Sequence, residues 1–261
     1  MGKNINYEDC YIYLFSKIES KVSKLQRNYN NTYIEDLNSY LLIFIRKMLN
    51  TWETIFKIYN EEKDYISAFC LIRNIADNIS IINLIYLNSN ENEKIFRHYL
   101  YILDGINNRI KSSNELINRS NASKQDLQKV IYTQESDKNT KRYVQQIIKT
   151  NPLYNNNNNT IRDIIEKGNW KYKSLTTILS PKEKNQYTWK DLYMKVNSNP
   201  DFANLISYLS IYVHGLSYSN IEFEEKNDIL NKVLHLGVIC LNFTDKALTK
   251  VFESDLTSQQ N

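Results

Sequence analysis

Residues 64–88 read DYISAFCLIRNIADNISIINLIYLN, and the periodicity of this stretch decides the fold. Asp64 stands where a helix cap belongs, because its carboxylate can accept from a backbone N–H of a first turn opening at Tyr65. At about 100° per residue the apolar side chains that follow do not keep to one face. Leu71, Ile75 and Ile82 fall on one side, Ile72 and Ile79 lie beside them, and Ile81 and Ile85 close the ring. A helix apolar nearly all round belongs in the middle of a helical bundle. It nonetheless carries Arg73 and, one turn on, Asp77. Burying charge is costly unless it is paired and hydrogen-bonded, so these two predict partners from elsewhere in the chain.

Upstream, Asn6 to Tyr29 reads as a first helix and Tyr33 to Glu61 as a long second one, each with apolar residues at helical spacing. Downstream, Asn90 is positioned to cap a fourth helix through Ile95, Tyr99, Ile102 and Ile106. From Asn107 to Asn159 apolar residues thin out, and one or two amphipathic helices are expected around Leu127 to Tyr132 and Tyr143 to Ile148. Residues 107–160 therefore read as a peripheral insertion in a single domain spanning 1–261. Thr160 caps a short helix that Gly168 closes, and shorter pieces interrupted by Pro181 fill Trp170 to Asn197. SNPD at 198–201 starts a helix to Ser217, and Asp228 opens a last one through Leu230, Leu234, Val238, Leu241 and Leu248. No strand alternation of any length occurs, so the fold class is all-α: one multi-helix bundle with a polar, basic insertion.

Composition agrees. Five Gly and three Pro leave few breaks, and 42% hydrophobic residues suffice for a packed core. Cys10, Cys70 and Cys240 are odd in number and have no paired spacing, which points to reduced thiols in a cytoplasmic protein. The N-terminal MGKNINYEDC lacks an apolar signal core, and Arg73, Asp77 and three Asn make residues 66–87 a poor membrane span. The net charge of +4 is unevenly spread: residues 109–190 hold 16 Lys/Arg against 7 Asp/Glu. An anionic partner is expected to meet the chain there. Lys138, Lys141, Arg142, Lys171 and Lys173 are the candidate nucleic-acid contacts, with Tyr132, Tyr143, Tyr154, Trp170 and Tyr172 to stack on bases. A solvated basic surface is the plain alternative.

Two polar stripes interrupt otherwise apolar helices: Arg73/Asp77, and Ser207/Ser210/His214/Ser217. Arg73, Asp77, Ser210 and His214 are the candidate catalytic set, because a titratable His beside an acid and an Arg is a common way to tune a pKa. The competing reading is a structural network that satisfies a buried Arg. His98, beside Arg97, reads as surface or half-buried, and His235 as ordinary packing. No paired-His zinc motif, Cys/His cluster or Gly-rich phosphate loop is present, so neither metal nor cofactor is expected. No nucleophile elbow supports a triad of Ser210, His214 and Asp77.

LIRNIADNISIINLIYL, followed about 130 residues later by YLSIYVHGLS, resembles a group of uncharacterised bacterial all-helical proteins. That group pairs an Arg-x-x-x-acid helix with a later Ser-x-x-x-His helix. In outline it is similar to the HEPN superfamily, which includes ribonuclease toxins and phage-defence components. The resemblance covers about residues 35–105 and 165–250. It implies a HEPN-like core, an RNA-directed role with RNA or another protein as partner, and a homodimer formed through helices; the residues themselves argue for no membrane partner. HEPN ribonucleases carry Arg, four to six residues, then His on one helix. None of His98, His214 and His235 has an Arg at that distance before it, and Asp77 stands where the group more often has Glu. The alternative is a non-enzymatic helical interaction module whose Arg/Asp/His network is structural.

Overall fold

In the computed structural model, residues 6–119, 123–156, 159–176, 184–213 and 226–257 are described, and every regular element among them is helical. In chain order these are α1 (Tyr7–Leu25), α2 (Leu37–Lys57), α3 (Tyr65–Ile85), α4 (Glu91–Arg119), α5 (Lys124–Thr150), α6 (Asn159–Lys167), α7 (Trp189–Val196), α8 (Pro200–Val213), α9 (Lys226–Val251) and α10 (Glu253–Thr257). The starts follow local chemistry. Asn6, Asp36, Asp64, Asn90 and Ser123 each accept a backbone N–H of the turn they precede. The second helix ends at Lys57 rather than Glu61. A wider turn, Ile58–Glu62, follows it and closes with Lys63 at φ 56, which hands the chain to the Asp64 cap.

The chain divides into two compact units, 1–87 with 189–261, and 88–188. In the first, α3 packs against α2, α7, α8 and α9, with Ile72, Ile75, Ile79, Ile82 and Ile85 buried. By length and composition α3 is apolar enough to cross a membrane, and most of its apolar window is buried among these neighbours. Arg73 lies near Ser210 and Phe69 near Tyr212, so α3 and α8 run antiparallel where they meet.

The second unit is wider than the polar stretch 107–160. Helix α4 runs on to Arg119, and α5 is a single helix through both stretches where one or two were expected. The reason lies in a polar seam. Arg109 clasps Asp137 through Nε and Nη2, the latter at 2.7 Å, and Gln134 Nε2 donates to Asn114 Oδ1 at 2.8 Å. At this end of the hairpin these partners stand where apolar pairs would, while Val144 and Ile148 are buried further along α5. Gly168 ends α6 at φ +64, and a Cβ there would come within 2.7 Å of the Asp104 backbone N. Helix α6 begins at Asn159, so Thr160 lies inside it rather than capping it.

Candidate functional site

The apolar ring of α3 carries Arg73 and Asp77 to the boundary it shares with α7 and α8. Their i,i+4 spacing brings the two charges into an ion pair. Arg73 Nε donates to Ser210 Oγ at 3.2 Å, while the Tyr193 hydroxyl donates to Asp77 Oδ1 at 2.5 Å. The guanidinium sits over the Tyr193 ring, 5.0 Å from its centroid. The Arg73 side chain is 13% exposed and that of Asp77 25% exposed. The centre is thus half-buried, with Asp77 at its wetter edge. Burial, reinforced by the Asp77 carboxylate, pushes the Tyr193 phenol well above its ordinary range. Tyr193 therefore keeps its proton and acts as a fixed donor rather than as a base.

Of the expected catalytic set, Arg73, Asp77 and Ser210 come together. His214 and Ser217 lie outside the described residues. Ser207 does not serve Arg73: its hydroxyl donates to the Ala203 carbonyl of its own helix at 2.7 Å. Tyr193 is the member that sequence reasoning missed, and nothing in WKDLYMKV marks it.

His98 is not surface or half-buried but fully buried, with its ring edge-on to Tyr99 at 5.2 Å. Its neighbours Phe96, Leu100 and Leu103 on the same helix are buried too, whereas Ile95 and Ile102 are only half-buried. His235 lies against Tyr7, ring centroids 4.8 Å apart. Cys240 is buried, and burial pushes its thiol up to about 12. Among the described residues no group of three His, Cys, Asp or Glu side chains gathers in a way that could hold a metal ion.

In the second unit Arg97 is 3% exposed and anchors the segment after α6. Its Nη1 donates to the Trp170 carbonyl at 2.6 Å, Nη2 donates to the Tyr172 carbonyl and to Glu93, and its plane lies 3.8 Å from the Tyr172 centroid. The Glu93/Arg97 spacing was visible in the sequence; the distant carbonyls were not.

The candidate nucleic-acid contacts do not form one cluster. Lys138 pairs with Glu135 at 2.6 Å and Arg142 donates to Asn139. Lys141 is half-buried on the side of α5 that carries Asp137 and Val144. Lys171 and Lys173 belong to the segment after α6, near the rings of Trp170 and Tyr187. Two aromatic side chains stand on the exposed surface of α5. Tyr132 is 80% exposed and Tyr143 47% exposed, eleven residues apart and so nearly in line along one face. Lys129, Arg142 and Lys149 flank them on the solvent side.

The chain matches no family model, no curated protein and no solved structure.

Proposed function

We propose that this is a HEPN-like, RNA-directed protein that engages single-stranded RNA along the outer face of α5. The observation that carries the reading is the aligned, solvent-facing pair Tyr132 and Tyr143 within the basic segment of the chain. Exposed aromatic rings accept bases of any sequence, and neighbouring cations track the phosphates. Anisotropy of a labelled single-stranded RNA tests it. Tyr132→Ala with Tyr143→Ala should weaken binding at least about tenfold, since each stacked base contributes roughly 1–3 kcal/mol. Affinity should also fall steeply with salt, as counterion release requires. Undiminished binding by the double variant counts against the reading.

A specific observation also favours a second reading, a helical interaction module with a structural polar centre. Arg73, Asp77, Tyr193 and Ser210 contact one another across three helices through an ion pair and two hydrogen bonds, which ties the guanidinium into the fold. RNA cleavage lost in Arg73→Ala, with the helical content kept, selects an effector. A stable protein complex without cleavage selects the module.

A further inference from the structure

Where α5 gives way to α6, the second unit has an open recess of about 220 Å³, lined by Gln145, Lys149, Tyr154, Arg162, Ile165 and Glu166. That volume falls below the roughly 300–1,000 Å³ of pockets that enclose a whole small ligand. It suits one planar ring system whose attached groups stay outside. Hydrogen bonds hold its walls. Buried Asn151 donates Nδ2 to the Asn92 carbonyl at 3.0 Å and accepts the Leu153 N–H at 2.9 Å, which fixes the turn carrying Tyr154. On the α6 side the Glu166 carbonyl accepts from Asn107 at 3.3 Å, and Ile165 adds a buried apolar side chain.

The recess lies at the end of a polar line on α5. Lys138, Arg142, Gln145 and Lys149 stand at i, i+4, i+7 and i+11, which is one helix face. Arg142 adjoins Tyr143 in the chain, and Lys149 follows about 10 Å further along the axis. A strand tracked by cations beside Tyr143 is thus led to the recess. Its wall holds three uncommitted polar groups. Among the described residues the Gln145 amide and the Glu166 carboxylate make no hydrogen bond, and Lys149 has no carboxylate within ion-pair distance. Tyr154 adds a half-buried aromatic side chain. A carboxylate placed where phosphates pass is repulsive unless it meets donors, and two N–H groups on adjacent atoms satisfy both its oxygens. Among the RNA bases only guanine presents that pair, a ring N–H beside an amino group.

We propose that this recess takes one guanine of a single-stranded RNA. Tyr154 lies against the base, the Glu166 carboxylate accepts its ring N–H and amino N–H, Gln145 donates to its carbonyl oxygen, and Lys149 meets the adjoining phosphate. Arg162 also lines the recess but already has an interaction of its own, and the base does not require it. The proposal rests on RNA engagement along α5 and adds a base preference to it.

Anisotropy of labelled short oligouridylate strands, with and without one central guanosine, tests it on the full chain. The guanosine strand should bind at least about fivefold tighter, as one bidentate base contact provides. Adenosine at that position stacks as well but lacks the paired donors, so it should not reproduce the gain. Inosine lacks the amino group and should lose most of it. Glu166→Gln, at an exposed position, should bring the guanosine and uridine strands within about twofold of each other, with circular dichroism confirming the fold. Tyr132→Ala with Tyr143→Ala should weaken both strands together and keep their ratio, which separates the recess from the tyrosine face. Equal affinity for the two strands overturns the proposal and leaves the α5 reading standing; no binding of either strand removes both. A folded Glu166→Gln variant that keeps the preference also overturns it. Guanosine monophosphate that competes as strongly as the guanosine strand gives the recess to free nucleotides and overturns the assignment to RNA.

Discussion

The Tyr193 hydroxyl donates to Asp77 Oδ1 across 2.5 Å, joining α7 to the acid that also pairs with Arg73 of α3. One carboxylate thereby holds two helices in register. Tyr193 is 1% exposed, so deleting its hydroxyl removes a donor that water cannot easily replace. Tyr193→Phe should cost about 1–3 kcal/mol, as expected for a hydrogen bond to a charged acceptor. Urea denaturation checks it, and an unchanged midpoint would show that the contact contributes nothing.

Arg73→Ala leaves Asp77 with only Tyr193, in a half-buried position. Breaking a fully buried pair costs about 3–5 kcal/mol, and the 25% exposure of Asp77 reduces that to roughly 2–3 here. Arg73→Met combined with Asp77→Leu removes both charges and should be milder than Arg73→Ala alone. Thermal melts of the two variants decide the order; the reverse ranking would mean that Asp77 does not depend on Arg73.

Gly168→Ala faces two penalties at once, a left-handed φ of +64 and a Cβ 2.7 Å from the Asp104 backbone. The expected loss is at least about 2 kcal/mol, from backbone strain together with overpacking. Chemical denaturation measures it, and a variant as stable as the parent would show that α6 can shift without cost.

Asp245 of α9 receives Lys17 at 2.8 Å and Lys21 at 2.6 Å, both from α1. Burial alone would raise its pKa, but the hydrogen bonds from Lys17 and Lys21 outweigh it and hold the carboxyl below its usual value. A folded pKa below the unfolded one, about 3.9, gives stability that is present above that value and lost as pH falls through the folded pKa. Asp245→Asn should therefore be less stable than the parent at pH 7, by about 1 kcal/mol after allowing for the partly exposed lysines. The gap should close near pH 2. Equal stability at pH 7 would remove the bridge from the account of α1–α9 packing.

Local rules made much of this fold legible. The apolar ring of residues 64–88 placed α3 among other helices, and Asp64, Asn90 and Gly168 marked helix ends through chemistry confined to neighbouring residues. Arg73 and Asp77 are one turn apart, so their pairing was readable, and a stretch rich in serine on α8 suggested a partner for the guanidinium. Ser210 is that partner, while Ser207 bonds its own helix, because a hydroxyl near a preceding-turn carbonyl has a local alternative to any distant donor. Tertiary structure alone decided the rest. Tyr193 reaches Asp77 from 116 positions away, and Arg97 finds carbonyls 73 and 75 positions on. The α4–α5 seam is polar at Arg109/Asp137 and Asn114/Gln134 and, among the buried positions of α5, apolar only at Val144 and Ile148, so hydrophobic spacing could not announce the full length of the hairpin. The close approach of the end of α6 to Asp104 depends on a glycine more than sixty residues later, where a Cβ would meet the Asp104 backbone. Spacing encodes which residues share a helix face; which faces then meet is a matter of packing across the whole chain.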